Sequence, residues 1–122
     1  MIKKILIVDD EKLMRDLVKR TLMRKEAQLF EASSGESAIE IAKVEIPQLI
    51  FMDINIEGKI DGFEATRILK NHPPTEKSKI VILTSRNHES DKQKGFDSGA
   101  DDYLVKPFSP LDLLKKVDEI FS

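Results

Sequence analysis

The chain alternates short, unbroken apolar runs with amphipathic stretches. Ile5-Leu6-Ile7-Val8 shows no polar alternation, the mark of a strand covered on both faces, and stops at Asp9-Asp10-Glu11. Leu13, Met14, Leu17, Val18, Thr21 and Leu22 then fall at helical spacing, with Arg15, Asp16, Lys19 and Arg20 opposite. A short strand over Gln28 to Ala32, a Ser33-Ser34-Gly35 turn and a helix with Ala38, Ile39, Ile41 and Ala42 inward follow; Pro47 forces Ile46 out of helical geometry. Leu49-Ile50-Phe51-Met52 is a second buried strand, ending in Asp53. Asp61, with Glu64 three residues on, reads as a capping-box variant opening a helix through Lys70, which Asn71-His72-Pro73-Pro74 ends. Ile80-Val81-Ile82-Leu83 is the third such strand and runs into Thr84-Ser85. A polar helix near Glu89 to Ser98 stops at Gly99, a C′ residue. Tyr103-Leu104-Val105 is the last strand, closed by Lys106-Pro107. Ser109 caps a final helix with Pro110 at its first position and Leu111, Leu114, Val117, Ile120 and Phe121 apolar.

This is β-α five times over. Strands separated by helices need right-handed crossovers and a parallel sheet. Five units suit an open doubly wound sheet, since an eight-stranded barrel needs about twice the length. The expected fold is a single α/β domain over residues 1–122, a flavodoxin-like five-stranded sheet with five helices. Its strand order, 2-1-3-4-5, is adopted as the common arrangement rather than deduced.

Composition narrows the function classes. Lys and Arg (20) nearly balance Asp and Glu (22), for a net charge of −2, so no basic field argues for nucleic-acid binding by this domain. There is no cysteine, which excludes disulfides and thiolate zinc sites and fits a reducing cytoplasm. No apolar run is long enough for a signal-peptide core or a membrane span.

The chemistry lies where the buried strands run out. Strand 1 ends in Asp9-Asp10, strand 3 in Asp53, strand 4 in Thr84 and strand 5 in Lys106. In open α/β sheets the ligand site lies at these carboxyl ends, and in the expected order strands 1 and 3 are neighbours, so Asp9, Asp10 and Asp53 converge. Two carboxylates ~4 Å apart at an effective dielectric of ~20 repel by roughly 4 kcal/mol, so the trio calls for a metal or for protons. Oxygen-only ligands point to a hard cation, Mg²⁺ before Ca²⁺. A lysine and a threonine hydroxyl nearby suit a transferring phosphoryl group, and an aspartate can itself be the acceptor.

With these pieces in order, the chain resembles the receiver domains of response regulators, the phosphoacceptor half of bacterial two-component signalling, and is similar to the single-domain chemotaxis receivers. The resemblance rests on Ile5 to Glu11, Leu49 to Asp53, Asp61-Gly62, Ile82 to Ser85 and Gly99 to Phe108. Such receivers also exemplify the 2-1-3-4-5 order, so that expectation is not independent of the resemblance. It implies Asp53 as the phosphorylated residue. Asp10 and Asp53 would bind Mg²⁺ directly, with Asp9 acting through water and the Asn55 backbone carbonyl as a further ligand. Lys106 would pair with the phosphoryl group, Thr84 would hydrogen-bond it, Tyr103 would turn inward as the switch aromatic, and the Lys106-Pro107 bond would be cis. Asn55 and Arg86 would flank the path of attacking water, with Arg86 shielding the acyl phosphate. Implied partners are a sensor histidine kinase or phosphotransfer protein, and a downstream target or effector domain at the face of helix 4, strand 5 and helix 5; a homodimer is allowed. Such a domain is no enzyme beyond its own phosphorylation and dephosphorylation. The chain ends after the fifth helix with no output domain, which favours a stand-alone receiver over a piece of a longer regulator.

One departure stands out. The commoner family loop runs Asp-x-x-Met-Pro-x-x-Asp-Gly, whereas Asp53 to Gly62 is one residue longer and has Glu57 in place of Pro. Blander readings also exist: Asp9-Asp10 as acids at a helix N-terminus, Lys106 as a solvated lysine, Thr84 as a plain strand end, Tyr103 as packing, Asp101-Asp102 as turn acid, and His72 and His88 as solvated. Two other functions share parts of this pattern. An aspartyl-phosphate phosphohydrolase would need an Asp-x-Asp, and Asp53-Ile54-Asn55 lacks the second acid. A phosphorylation-incompetent interaction module would not need all five chemical positions.

Overall fold

The computed structural model describes residues 3–23, 25–85 and 89–122. The elements run β1 Lys3–Val8, α1 Lys12–Leu22, β2 Ala27–Ala32, α2 Gly35–Glu45, β3 Leu49–Asp53, α3 Gly62–Lys70, β4 Lys79–Thr84, α4 Glu89–Asp97, β5 Asp102–Val105 and α5 Pro110–Phe121. All strands pair in parallel in the order β2-β1-β3-β4-β5, as expected.

The two-residue period of the strands divides the core into two layers. Leu6, Val8, Ile50, Met52, Ile80 and Ile82 face α2 and α3, where Ala38, Ala42, Ala65 and Leu69 are buried. Ile5, Ile7, Leu49, Phe51, Val81 and Leu83 face α1 and α5, against Val18, Leu22, Leu113 and Val117. Every residue of the three central aliphatic runs is therefore covered, which is why they lack polar alternation.

The helices depart from the sequence expectation in which residues they bury. In α1 the contact stripe is Met14, Val18 and Leu22, spaced i, i+4, i+8. Leu13 and Leu17 sit about 100° around the helix from that stripe and are exposed, Leu13 at 82%. In α5, Leu113 and Val117 fill the core while Leu111 is 73% exposed. A helix on a sheet buries a narrow stripe, and the docking angle that selects it is not written in the helix itself.

Helix ends follow local chemistry. The Asp61 carboxylate accepts the Glu64 N–H at 2.9 Å, but Glu64 turns to Arg67, so only half of the capping box forms there. The complete box is at α5, between Ser109 and Asp112. Ile46 adopts a left-handed φ of 47°, and its N–H reaches the Ala42 carbonyl at 2.8 Å just before Pro47. Gly99 ends α4 at φ 104°. Among the described residues no helix is long and apolar enough to cross a membrane.

Candidate functional site

Strand register brings the acids level. Val8 is opposite Met52, so Asp9, the next residue, lies beside Asp53; Asp53 in turn is opposite Leu83, and Thr84 is opposite Val105. Side-chain parity then sorts the strand-end residues. Asp9 and Asp53 continue the odd-numbered face of Ile7 and Phe51, and Lys106 continues the face of Leu104. All three therefore meet on the α1–α5 side. Lys106 Nζ lies 2.9 Å from Asp9 Oδ2 and 3.2 Å from Asp53 Oδ2. Thr84 continues the other face, where it lines a small cavity with Ile82, Lys92, Phe96 and Tyr103.

Asp9 and Asp53 are buried, and Asp10 is half-buried. Asp9 Oδ1 accepts the Glu11 N–H at 2.9 Å, while Arg15 donates to the Asp9 carbonyl at 2.7 Å. Asp9 thus closes the turn into α1, but α1 takes no side-chain cap, and the Glu11 contact occupies only one carboxylate oxygen of Asp9. Asp53 Oδ1 accepts the Asn55 N–H at 3.1 Å. Burial pushes the Asp53 carboxyl up to about 6; Lys106 pulls it back, and the neighbouring Asp9 charge pushes it further up. Lys106 sits above its ordinary value: burial lowers it, and the two aspartates outweigh that effect.

The residues fit a small hard cation. One oxygen from each of Asp9, Asp10 and Asp53 lies within 4.8 Å of the others, a spacing a cation can draw together. All three donors are carboxylate oxygens, and among the described residues Lys106 is the cation ion-paired with Asp9 and Asp53, leaving three acids against one paired lysine.

The other sequence-derived residues are placed as follows. Tyr103 is half-buried on β5; the Lys92 ammonium lies 4.5 Å from its ring centroid and the Phe96 ring meets it edge-on at 6.2 Å. The Lys106–Pro107 peptide is cis. Asn55 is exposed at the start of the loop after β3. Arg86 and His88 lie outside the described residues. Asp101 binds Lys70 at 2.8 Å and the Ile80 N–H at 2.9 Å, and Asp102 binds Lys116 at 2.8 Å, so neither joins the acid trio. Sequence reasoning missed Glu36, which binds the loop after β3, and Lys92. The lengthened loop was the available signal for Glu36; Lys92 looks like any surface lysine of a polar helix.

The family model described as the response regulator receiver domain matches residues 5–118. The chain is 39% identical over 117 residues to the transcriptional regulatory protein SrrA of Staphylococcus aureus, covering 96% of this chain and 47% of SrrA. The chain therefore spans about half the length of that curated relative. Among solved structures, the chemotaxis response regulator CheY4 of Vibrio cholerae superposes with a TM-score of 0.92 at 30% identity, covering 98% of this chain and 99% of CheY4. A response regulator from Chloroflexus aurantiacus gives 0.91 at 32% identity, with 98% of both chains covered.

Proposed function

The chain belongs to the response-regulator receiver domain family, and on that premise we propose that Asp53 is its phosphoacceptor and that phosphorylation switches the α4–β5–α5 surface. The observation that carries the reading is the Lys106 ammonium bridging Asp9 and Asp53 at the mouth of the acid trio. A buried carboxylate with a lysine already in contact, in an acid trio that a cation would neutralise, suits the arrival of a phosphoryl group.

In this mechanism the Asp53 carboxylate attacks phosphorus of a phosphohistidine. The O–P bond forms, the N–P bond breaks, and the donor imidazole keeps the electron pair. Mg²⁺ held by Asp9, Asp10, Asp53 and the Asn55 carbonyl would supply positive charge to the phosphoryl oxygens. Asp53 is held for the attack by the Asn55 N–H on its Oδ1. Lys106, already within 3.2 Å of Asp53 Oδ2, exchanges carboxylate for phosphoryl oxygen without crossing the site. Thr84 then donates to the phosphoryl group and vacates its place in the cavity it shares with Tyr103, biasing that ring inward. Asn55 and Arg86 govern the approach of water. The domain acts on no other substrate, so it catalyses only its own modification. The donor would be a sensor histidine kinase or phosphotransfer protein, the reader a downstream target or effector domain, and the setting the cytoplasm.

Incubation with a small phosphodonor and Mg²⁺ tests this. One phosphate, labile to base and hydroxylamine, is expected on the parent and none on Asp53→Asn or after chelation. Beryllofluoride with Mg²⁺ is expected to shift NMR signals across residues 84–120. Incorporation on the Asp53→Asn protein refutes the acceptor, and shifts confined to the acid loops refute the switch.

A further inference from the structure

The loop between β3 and α3 is where this chain departs from the commoner receiver pattern, and it is tied down at both ends. At its base the Gly62 N–H reaches the Ile54 carbonyl at 3.2 Å, and the Ile54 N–H reaches the Leu83 carbonyl at 3.2 Å. At its far end Glu57 makes a parallel bridge with Ser34. Glu36, in the first turn of α2, accepts with one oxygen from both Lys59 N–H (2.7 Å) and Ile60 N–H (3.1 Å). Gly58 makes that approach possible: its φ is +119°, and a Cβ there would run into the Glu36 carboxylate. The Ile60 side chain lies over Gly35, where an added Cβ would come within 2.7 Å of Ile60 Cγ1. A single residue, Ile56, separates the clamped Glu57 from Asn55, whose N–H binds Asp53 at 3.1 Å.

We infer that Glu36 is a positioning residue for the phosphoacceptor site: by clamping the lengthened loop to α2 it holds Asn55 against Asp53. The extra residue gives the loop slack, and without proline at position 57 its own backbone does not remove it. The Glu36 carboxylate removes the slack instead, with two hydrogen bonds from consecutive amides, charge-assisted on the acceptor side. This inference rests on the Asp53 reading, since it assigns Glu36 a role in setting the cation and phosphoryl geometry there.

The test compares the parent with Glu36→Ala, Glu36→Gln and Gly58→Ala. Amide hydrogen exchange at Lys59 and Ile60, Mg²⁺ affinity by titration calorimetry, and thermal midpoint are measured on each. Groups that support metal ligands from outside change affinity by about 10–100-fold when removed; a clamp one step further out is expected to weaken Mg²⁺ binding by about 3- to 10-fold. Glu36→Ala and Gly58→Ala should both show this weakening with faster exchange at Lys59 and Ile60. Glu36→Gln, which keeps an acceptor oxygen, should stay near the parent. Should Glu36→Ala fail to fold, Gly58→Ala and Glu36→Gln carry the comparison. Weakened exchange protection with unchanged Mg²⁺ affinity overturns the positioning role while leaving Asp53 as acceptor. A parent that takes up no Mg²⁺ overturns the Asp53 reading and the role of Glu36 together.

Discussion

Replacing Asp53 by Asn is expected to make the metal-free protein more stable at neutral pH, although it removes the proposed acceptor. The Asp53 carboxyl is raised from 3.8 to about 6, first because it is buried and then, against the pull of Lys106, because Asp9 is charged beside it. An acid with a raised folded-state pKa favours folding when protonated. Its contribution is fully present below 3.8 and is lost as pH rises through about 6. A rise of about two pH units at 1.36 kcal/mol each means that the ionised group opposes folding by about 3 kcal/mol at pH 7.5, and by about half that at pH 5. Asparagine is a neutral isostere, and Lys106 keeps Asp9 as its partner, so most of that opposition should vanish. Urea unfolding with chelator present, at pH 7.5 and pH 5, should show Asp53→Asn more stable by about 2–3 kcal/mol at the higher pH and by clearly less at the lower. Mg²⁺ at about 100 times its Kd stabilises the parent by about 2.7 kcal/mol, and the variant, missing one carboxylate, gains less, so the gap should close. An Asp53→Asn protein no more stable than the parent at pH 7.5, or a gain that does not shrink at pH 5, refutes the burial of ionised charge at this site.

Two further outcomes follow from the same geometry. Gly62→Ala places a Cβ against the Asp53 carbonyl and 2.7 Å from Ile54 Cα, backbone that cannot step aside; a loss of about 2–3 kcal/mol is expected in urea unfolding, with displaced NMR signals at Asp53 and Asn55. Lys106→Met strips the single lysine from two buried aspartates and should destabilise the metal-free protein by about 3 kcal/mol at pH 7.5, with the deficit shrinking toward pH 5 as Asp53 takes up a proton; a pH-independent deficit measured by urea unfolding would point to lost packing instead.

Features that depend on neighbours along the chain are legible in the residues alone. The unbroken aliphatic runs mark strands covered on both faces, Asp61 and Ser109 open helices by accepting backbone N–H groups on their side-chain oxygens, and Gly99 and Pro47 end helices through backbone conformation. The acids, threonine and lysine stand at strand ends, so a parallel sheet had to gather them at one edge. The remainder depends on register and docking angle between segments far apart in sequence, which local patterning does not specify. Register and parity place Lys106 against Asp9 and Asp53 and set Thr84 with Tyr103 on the opposite face. Docking of α1 and α5 leaves Leu13 and Leu111 exposed while Leu113 is buried, although all are apolar residues on amphipathic helices. The Glu36 clamp joins a helix start to a loop more than twenty residues away, two groups that look like ordinary solvated surface until the chain folds. Local patterning settles each segment's own conformation; only packing settles which of its side chains meet another's.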